Sequence, residues 1–89
     1  MEDKLITLFN NKVPRIILLN LLSKKETYLS KISRETSLER GWISKNIKKL
    51  EEEKLLIKEP KYKDDRKIII KLTDKGRNIA IKLFELSEL

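Results

Sequence analysis

Apolar positions along this chain fall into blocks whose period changes from one block to the next. Residues 3–10 place Leu5, Leu8 and Phe9 at helical spacing, a single narrow stripe on a short helix. The segment VPRIILLNLLSKK sets Pro14 in a first turn and then carries Ile16, Ile17, Leu18, Leu19, Leu21 and Leu22 around most of its circumference, which predicts a central buried helix. After a break at residues 24–27, YLSKISRETS turns Leu29 and Ile32 inward and Lys31 and Arg34 outward, a helix of barely two turns. The short polar turn SLERG follows. From Arg40, RGWISKNIKKLEEEKL keeps Ile43, Ile47, Leu50 and Lys54 on one line; the first three lie within about 60° of each other on a helical wheel.

The period then shortens. LLIKEP and RKIIIKLT read as two isoleucine-rich strands separated by the polar stretch KYKDD, a hairpin whose turn is longer than two residues. Ile68 and Ile70 share one strand face, which can pack on the helices, and Ile69 faces the other way. Thr73 is suited to cap a last helix, with Asp74 in its first turn and Ile79, Ala80, Leu83, Phe84 and Leu86 as its apolar positions. The predicted fold is mainly α with a small β-hairpin, in the order α-α-α-α-β-β-α. A chain of 89 residues buries only roughly 60–65% of its unfolded surface, so residues 1–89 form one domain, and no linker, repeat or low-complexity tract divides them.

Composition narrows the chemistry. Lys+Arg 21 against Asp+Glu 14 leaves a net charge of +7, which favours anionic partners, nucleic acid first among them. The chain has no cysteine and no histidine, which removes disulfides, zinc fingers, thiol nucleophiles and imidazole bases, and with them most enzyme classes. The neighbouring carboxylates Asp64 and Asp65 lack the further oxygen ligands a cation needs, so neither metal nor cofactor is expected. No apolar run approaches the roughly 20 residues of a membrane span, and MEDKLITLFNNK lacks the apolar core of a signal peptide. The expected location is the cytoplasm of a prokaryote, or of a cell infected by a virus that encodes the chain.

Two helices joined by a short turn, the second longer and basic at its start, make a helix-turn-helix, here over residues 29–55; the hairpin 56–72 directly after it makes a winged helix. Opposite the Ile43/Ile47/Leu50 stripe lie Gly41, Lys45 and Lys48, with Trp42 and Lys49 nearer one flank and Arg40 at the entrance; Ser44 is a further candidate contact in this half. That face suits a DNA major groove. Gly41 removes bulk where a backbone approaches DNA, and Lys45, Lys48 and Lys49 can neutralise phosphates or donate to guanine. Lys31 and Arg34 extend the basic surface on the preceding helix. Glu51, Glu52 and Glu53 would repel phosphates, so only the first half of the helix can enter the groove. Trp42 either plugs the edge of the core or meets thymine methyls or the sugar-phosphate edge.

The run YLSKISRETSLERGWISKNIKKLEEEKLLIK resembles the helix-turn-helix of MarR-type winged-helix transcription regulators, and DDRKIIIKLTDKGRNIA is similar to their wing and the helix after it. The resemblance covers roughly residues 13–80. In that family the turn usually holds a glycine, an apolar residue and a small polar cap, where this chain has Ser37, Leu38 and Glu39. The family's Asp-x-Arg falls on Asp64 and Arg66, which implies that Asp64 orients the Arg66 guanidinium at the minor groove, with Lys61, Lys63 and Lys67 beside it in a wing over residues 61–67. Usual members carry additional C-terminal helices that build the dimer and part of an effector pocket. The chain reads as a short form without them.

Leu5, Leu8 and Phe9 near one end and Ile81, Phe84, Leu86 and Leu89 near the other exceed what one winged helix buries. Either a two-fold dimer hides the helices 3–10 and 74–88, or they cover one another within the monomer. The function expected is that of a homodimeric transcriptional regulator, a repressor acting by occlusion, bound to palindromic double-stranded DNA through helix 40–55. A protein-interaction winged helix and a non-specific architectural DNA-binding protein are the alternatives.

Overall fold

The computed structural model describes residues 9–61 and 64–87, with side chains for 9–60 and 68–87. Four helices and one antiparallel hairpin follow in the order α1 (Lys12–Leu22), α2 (Leu29–Thr36), α3 (Arg40–Glu52), β1 (Leu56–Lys61), β2 (Asp64–Leu72) and α4 (Asp74–Ser87). This is a winged helix. Of the helix expected over 3–10, all but Phe9 and Asn10 lies outside the described residues, and Phe9 packs against the core. Among the described residues no helix is long and apolar enough to cross a membrane.

The core draws on every element. Ile17, Leu18 and Leu21 of α1, Ile32 of α2, Ile43, Ile47 and Leu50 of α3, the chain at Leu55 and Leu56, Ile70 of β2 and Ala80 of α4 are each 3% exposed or less. Burying a side chain of this kind stabilises by roughly 1.5–3 kcal/mol. The isoleucine run divides as its period requires, with one qualification. Ile70 is buried and Ile69 faces away, but Ile68, on the same face as Ile70, is 48% exposed because it lies further toward the tip.

Pairing runs from Leu56 opposite Leu72 out to Lys61 opposite Asp64, with an irregularity between Pro60 and Lys61. The strands therefore take in Lys61, Asp64 and Asp65, which the sequence places in the turn, and only residues 62–63 separate them. A bulge supplies the slack expected of a longer loop. Thr27, just ahead of α2, adds a bridge that hydropathy does not show: its N–H donates to Ile70 O at 3.0 Å and Ile70 N–H returns to Thr27 O at 2.7 Å.

Helix α3 stops short of its expected end. Lys54 takes a left-handed backbone (φ 62°), Lys54 N–H donates to Glu51 O at 2.9 Å and Leu55 N–H to Leu50 O at 3.0 Å. These two bonds form a Schellman closure, with Leu55 and Leu50 in its usual apolar contact. Thr73 caps α4 as its sequence predicts: Gly76 N–H donates to Thr73 Oγ1 at 3.0 Å, and Thr73 Oγ1 donates to Lys54 O at 2.7 Å. Gly76 is required by space rather than by torsion. A Cβ there would lie 1.8 Å from Leu55 O, because the first turn of α4 rests on the backbone leaving α3.

Candidate nucleic-acid interface

The turn between α2 and α3 sets how α3 stands out from the body. Ser37 adopts φ 61° and ψ 20°, a left-handed backbone that favours glycine. Non-glycine residues reach this region at a cost of about 1–2 kcal/mol. Neighbouring bonds hold it there: Ser37 N–H donates to Ser33 O at 2.8 Å, Ser33 Oγ to Leu38 O at 2.7 Å, and Leu38 N–H to Thr36 Oγ1 at 3.3 Å. Leu38 packs on the core, and Glu39 begins α3 without a side-chain cap bond. The tie between α1 and α2 is ionic: Lys24 Nζ lies 2.8 Å from Glu35 Oε2, while Asn20 Nδ2 donates to Glu35 Oε1 at 3.4 Å. The Lys24 hydrogen bond is the main reason the Glu35 carboxyl is held below the ordinary carboxylate range.

The four buried residues of α3 are Ile43, Asn46, Ile47 and Leu50, and they leave the opposite face to solvent. Arg40, Gly41, Trp42, Ser44, Lys45, Lys48 and Lys49 are all exposed. The predicted reading residues of α3 thus share one surface, basic over its first two and a half turns. Gly41 has room, since a Cβ there would meet only Glu39 Oε1 at 3.5 Å. Trp42 is 55% exposed and is no plug for the core; Lys45 Nζ stands 5.7 Å from its ring centroid, within cation–π reach. Arg34 is exposed on α2, and Lys31 is half-buried there, close enough to Glu35 to act on its charge.

Asn46 is a residue that the sequence pattern missed. Its Nδ2 donates to Trp42 O at 2.8 Å, so its amide is spent on its own helix. Positions 43, 46, 47 and 50 complete the i, i+3, i+4, i+7 set, and that spacing was the available signal. Lys58 of β1 was missed as well. It faces Ile70 across the ladder, pairs with Glu51 at 3.3 Å and lines, with Arg40 and Ser44, a depression of about 250 Å³ between α3 and the hairpin. Only the strand register reveals its place. Of the acidic run that ends α3, Glu51 is thereby neutralised in part.

Lys61, Lys63, Asp64, Arg66 and Lys67, the expected wing residues, have side chains outside the described residues. So do Leu5, Leu8 and Leu89 of the expected dimer surface. Of the rest of that surface, Ile81, Phe84 and Leu86 are 40%, 49% and 65% exposed on α4, and Phe9 is partly buried against the core. A groove of about 300 Å³ between α1 and α4 is lined by Ile16, Leu19, Leu83 and Leu86 and rimmed by Lys12 and Arg15.

Comparison with known proteins agrees with this geometry. The family model of transcriptional regulators SarA/Rot matches residues 9–83. The HTH-type transcriptional regulator MgrA of Staphylococcus aureus is 28% identical over 88 residues, covering 98% of this chain and 60% of MgrA. The structure of reduced AbfR bound to DNA superposes with a TM-score of 0.79 at 28% identity, over 94% of this chain and 59% of AbfR. MarR of E. coli superposes at 0.81 with 18% identity over 94% of this chain and 62% of MarR, a likeness of fold. The chain spans about 60% of the length of the curated relatives it matches. With residues 9–83 matched, it belongs to the SarA/Rot family of winged-helix transcriptional regulators, which are not enzymes.

Proposed function

We propose that this chain binds duplex DNA as a homodimer and represses transcription by occluding a palindromic site. The first half of α3 lies in the major groove, with Arg40, Lys45, Lys48 and Lys49 on phosphates and guanine edges. Lys31 and Arg34 approach the flanking backbone, and the wing 61–67 reaches the adjoining minor groove or backbone, Asp64 aligning Arg66. Two such helices related by a dyad meet half-sites about one helical turn, roughly 34 Å, apart. The observation that carries this reading is the separation of faces on α3: one side is packed into the core and the other is exposed and cationic until Lys49. A relative of 28% identity described as bound to DNA supports the choice of partner.

The test is salt-dependent binding. Selection from a random duplex pool at physiological salt is expected to enrich a palindrome that resists heparin competition. Each phosphate contact contributes about 0.9 to the slope of log affinity against log salt, so Lys45→Ala with Lys49→Ala, which removes two contacts from each protomer of the dimer, should flatten it by roughly 3.6. An unchanged slope would mean that another face meets the DNA. Duplexes bound no better than heparin would mean a protein-interaction or architectural role instead.

A further inference from the structure

The phosphate-binding reading leaves the exposed indole of Trp42 on α3 without a task. A tryptophan 55% exposed on a helix whose opposite face is fully packed brings no stability of its own to the core. Trp42 shares a line along the helix with Lys45 and Lys49, three and seven residues on, and Lys45 Nζ sits 5.7 Å from the ring centroid. That contact favours one placement of the ring and carries a cation over its face. The polar inventory around it is one-sided. Arg40, Lys45, Lys48 and Lys49 can only donate, and the exposed acceptors are the Ser44 hydroxyl and the carboxylate of Glu39 at the start of the helix. Asn46, the amide that would otherwise suit adenine, is buried and bonded to Trp42 O at 2.8 Å.

A surface of donors and one large apolar ring complements a particular set of base edges. Guanine offers two acceptors in the major groove, and thymine offers one acceptor beside a methyl group. Adenine and cytosine each present an amino donor, which this surface can satisfy only through Ser44 or Glu39 at its edge. We infer that Trp42 is a specificity-determining residue that covers the 5-methyl group of a thymine in each half-site, with Lys45 holding the ring and engaging the adjacent phosphate. This rests on the proposed DNA binding through α3. The one tryptophan of the chain would then stand at the point of base readout, and its emission reports contact directly.

The experiment uses the full chain and the duplex recovered from random-pool selection, resynthesised with deoxyuridine in place of thymidine so that only methyl groups are lost. One methyl taken from an apolar contact is worth roughly fourfold, so the wild type should lose about fourfold for each methyl the ring covers. Trp42→Ala should bind the thymine duplex as weakly as the wild type binds the uracil duplex, and its thymine-to-uracil ratio should fall to about one. Lys48→Ala should weaken both duplexes equally and keep the wild-type ratio. Trp42 emission should be quenched and blue-shifted on the thymine duplex. A wild-type ratio of one, a ratio that survives Trp42→Ala, or unchanged emission on a duplex that does bind would overturn the role of Trp42 and leave DNA binding standing. If selection recovers no duplex, the proposed function fails and this inference falls with it.

Discussion

Gly76→Ala and Gly41→Ala make the same chemical change on two helices and should move stability in opposite directions. At Gly76 the new Cβ would lie 1.8 Å from Leu55 O, about 1.6 Å inside ordinary contact, and 2.7 Å from Leu55 C, and the obstacle is backbone that cannot swing aside. Relief requires α4 to lift from the end of α3. That strains Thr73 N–H to Leu55 O at 3.1 Å and Thr73 Oγ1 to Lys54 O at 2.7 Å, each worth about 0.5–1.5 kcal/mol net. It also disturbs the packing of Ala80 and Leu83, where overpacking costs about 1–3 kcal/mol. Alanine's helix propensity returns at most about 1 kcal/mol. The expected net loss is about 2–4 kcal/mol, a large part of the roughly 4–13 kcal/mol that a domain of this size has. At Gly41 the added methyl meets only ordinary contact with Glu39 Oε1 at 3.5 Å, and Gly41→Ala should stabilise by about 0.5 kcal/mol. Urea denaturation followed by far-ultraviolet circular dichroism measures both. A Gly76→Ala variant within about 0.5 kcal/mol of wild type would refute the steric account, since helix propensity alone predicts a gain.

Ser37→Gly and Lys54→Gly each relieve a left-handed backbone and should raise stability by about 0.5–1 kcal/mol in the same assay; a loss at Lys54 would show that its side chain matters more than its torsion. The Glu35 carboxyl is held below its ordinary range, so its contribution is present above the unfolded value and is lost as pH falls through the lower folded one. Thermal melts from neutral to acid pH should accordingly show a steeper acid decline for wild type than for Glu35→Gln; parallel curves would mean the tie to Lys24 adds no pH dependence. Phe84→Asp places a charge on the exposed face of α4 and should give monomers by light scattering with the fold intact, whereas a persistent dimer would locate the interface elsewhere.

What could be read from the sequence was local. The period of Ile43, Ile47 and Leu50 identifies both the helix and its outward face, and Thr73 with Asp74 marks the start of α4, because caps and amphipathic stripes are encoded within a turn or two. The stop of α3 was less visible because Lys54 occupies a position where glycine is the usual signal. Asn46 was missed because an amide on an inward arc can satisfy itself on its own backbone. The Thr27 bridge and the crowding of Gly76 against Leu55 were beyond reach for another reason. Each joins segments distant in sequence, and neither residue carries a mark of the partner it meets.

The beginning of α4 grips backbone oxygens from two other helices. Lys75 Nζ donates to Glu53 O at 3.3 Å and Arg77 Nη1 to Leu22 O at 3.3 Å, while Thr73 holds Lys54. The helix is thereby pinned at one end, beside the close of α3, and its other end carries the uncovered Phe84 and Leu86. Its 14 residues span about 20 Å, and Ile79, Ala80 and Leu83 along that length pack on the core, so the helix is seated on the body as well as tied at its start. Phe84 and Leu86 therefore project from a rigid continuation of the same body that carries α3.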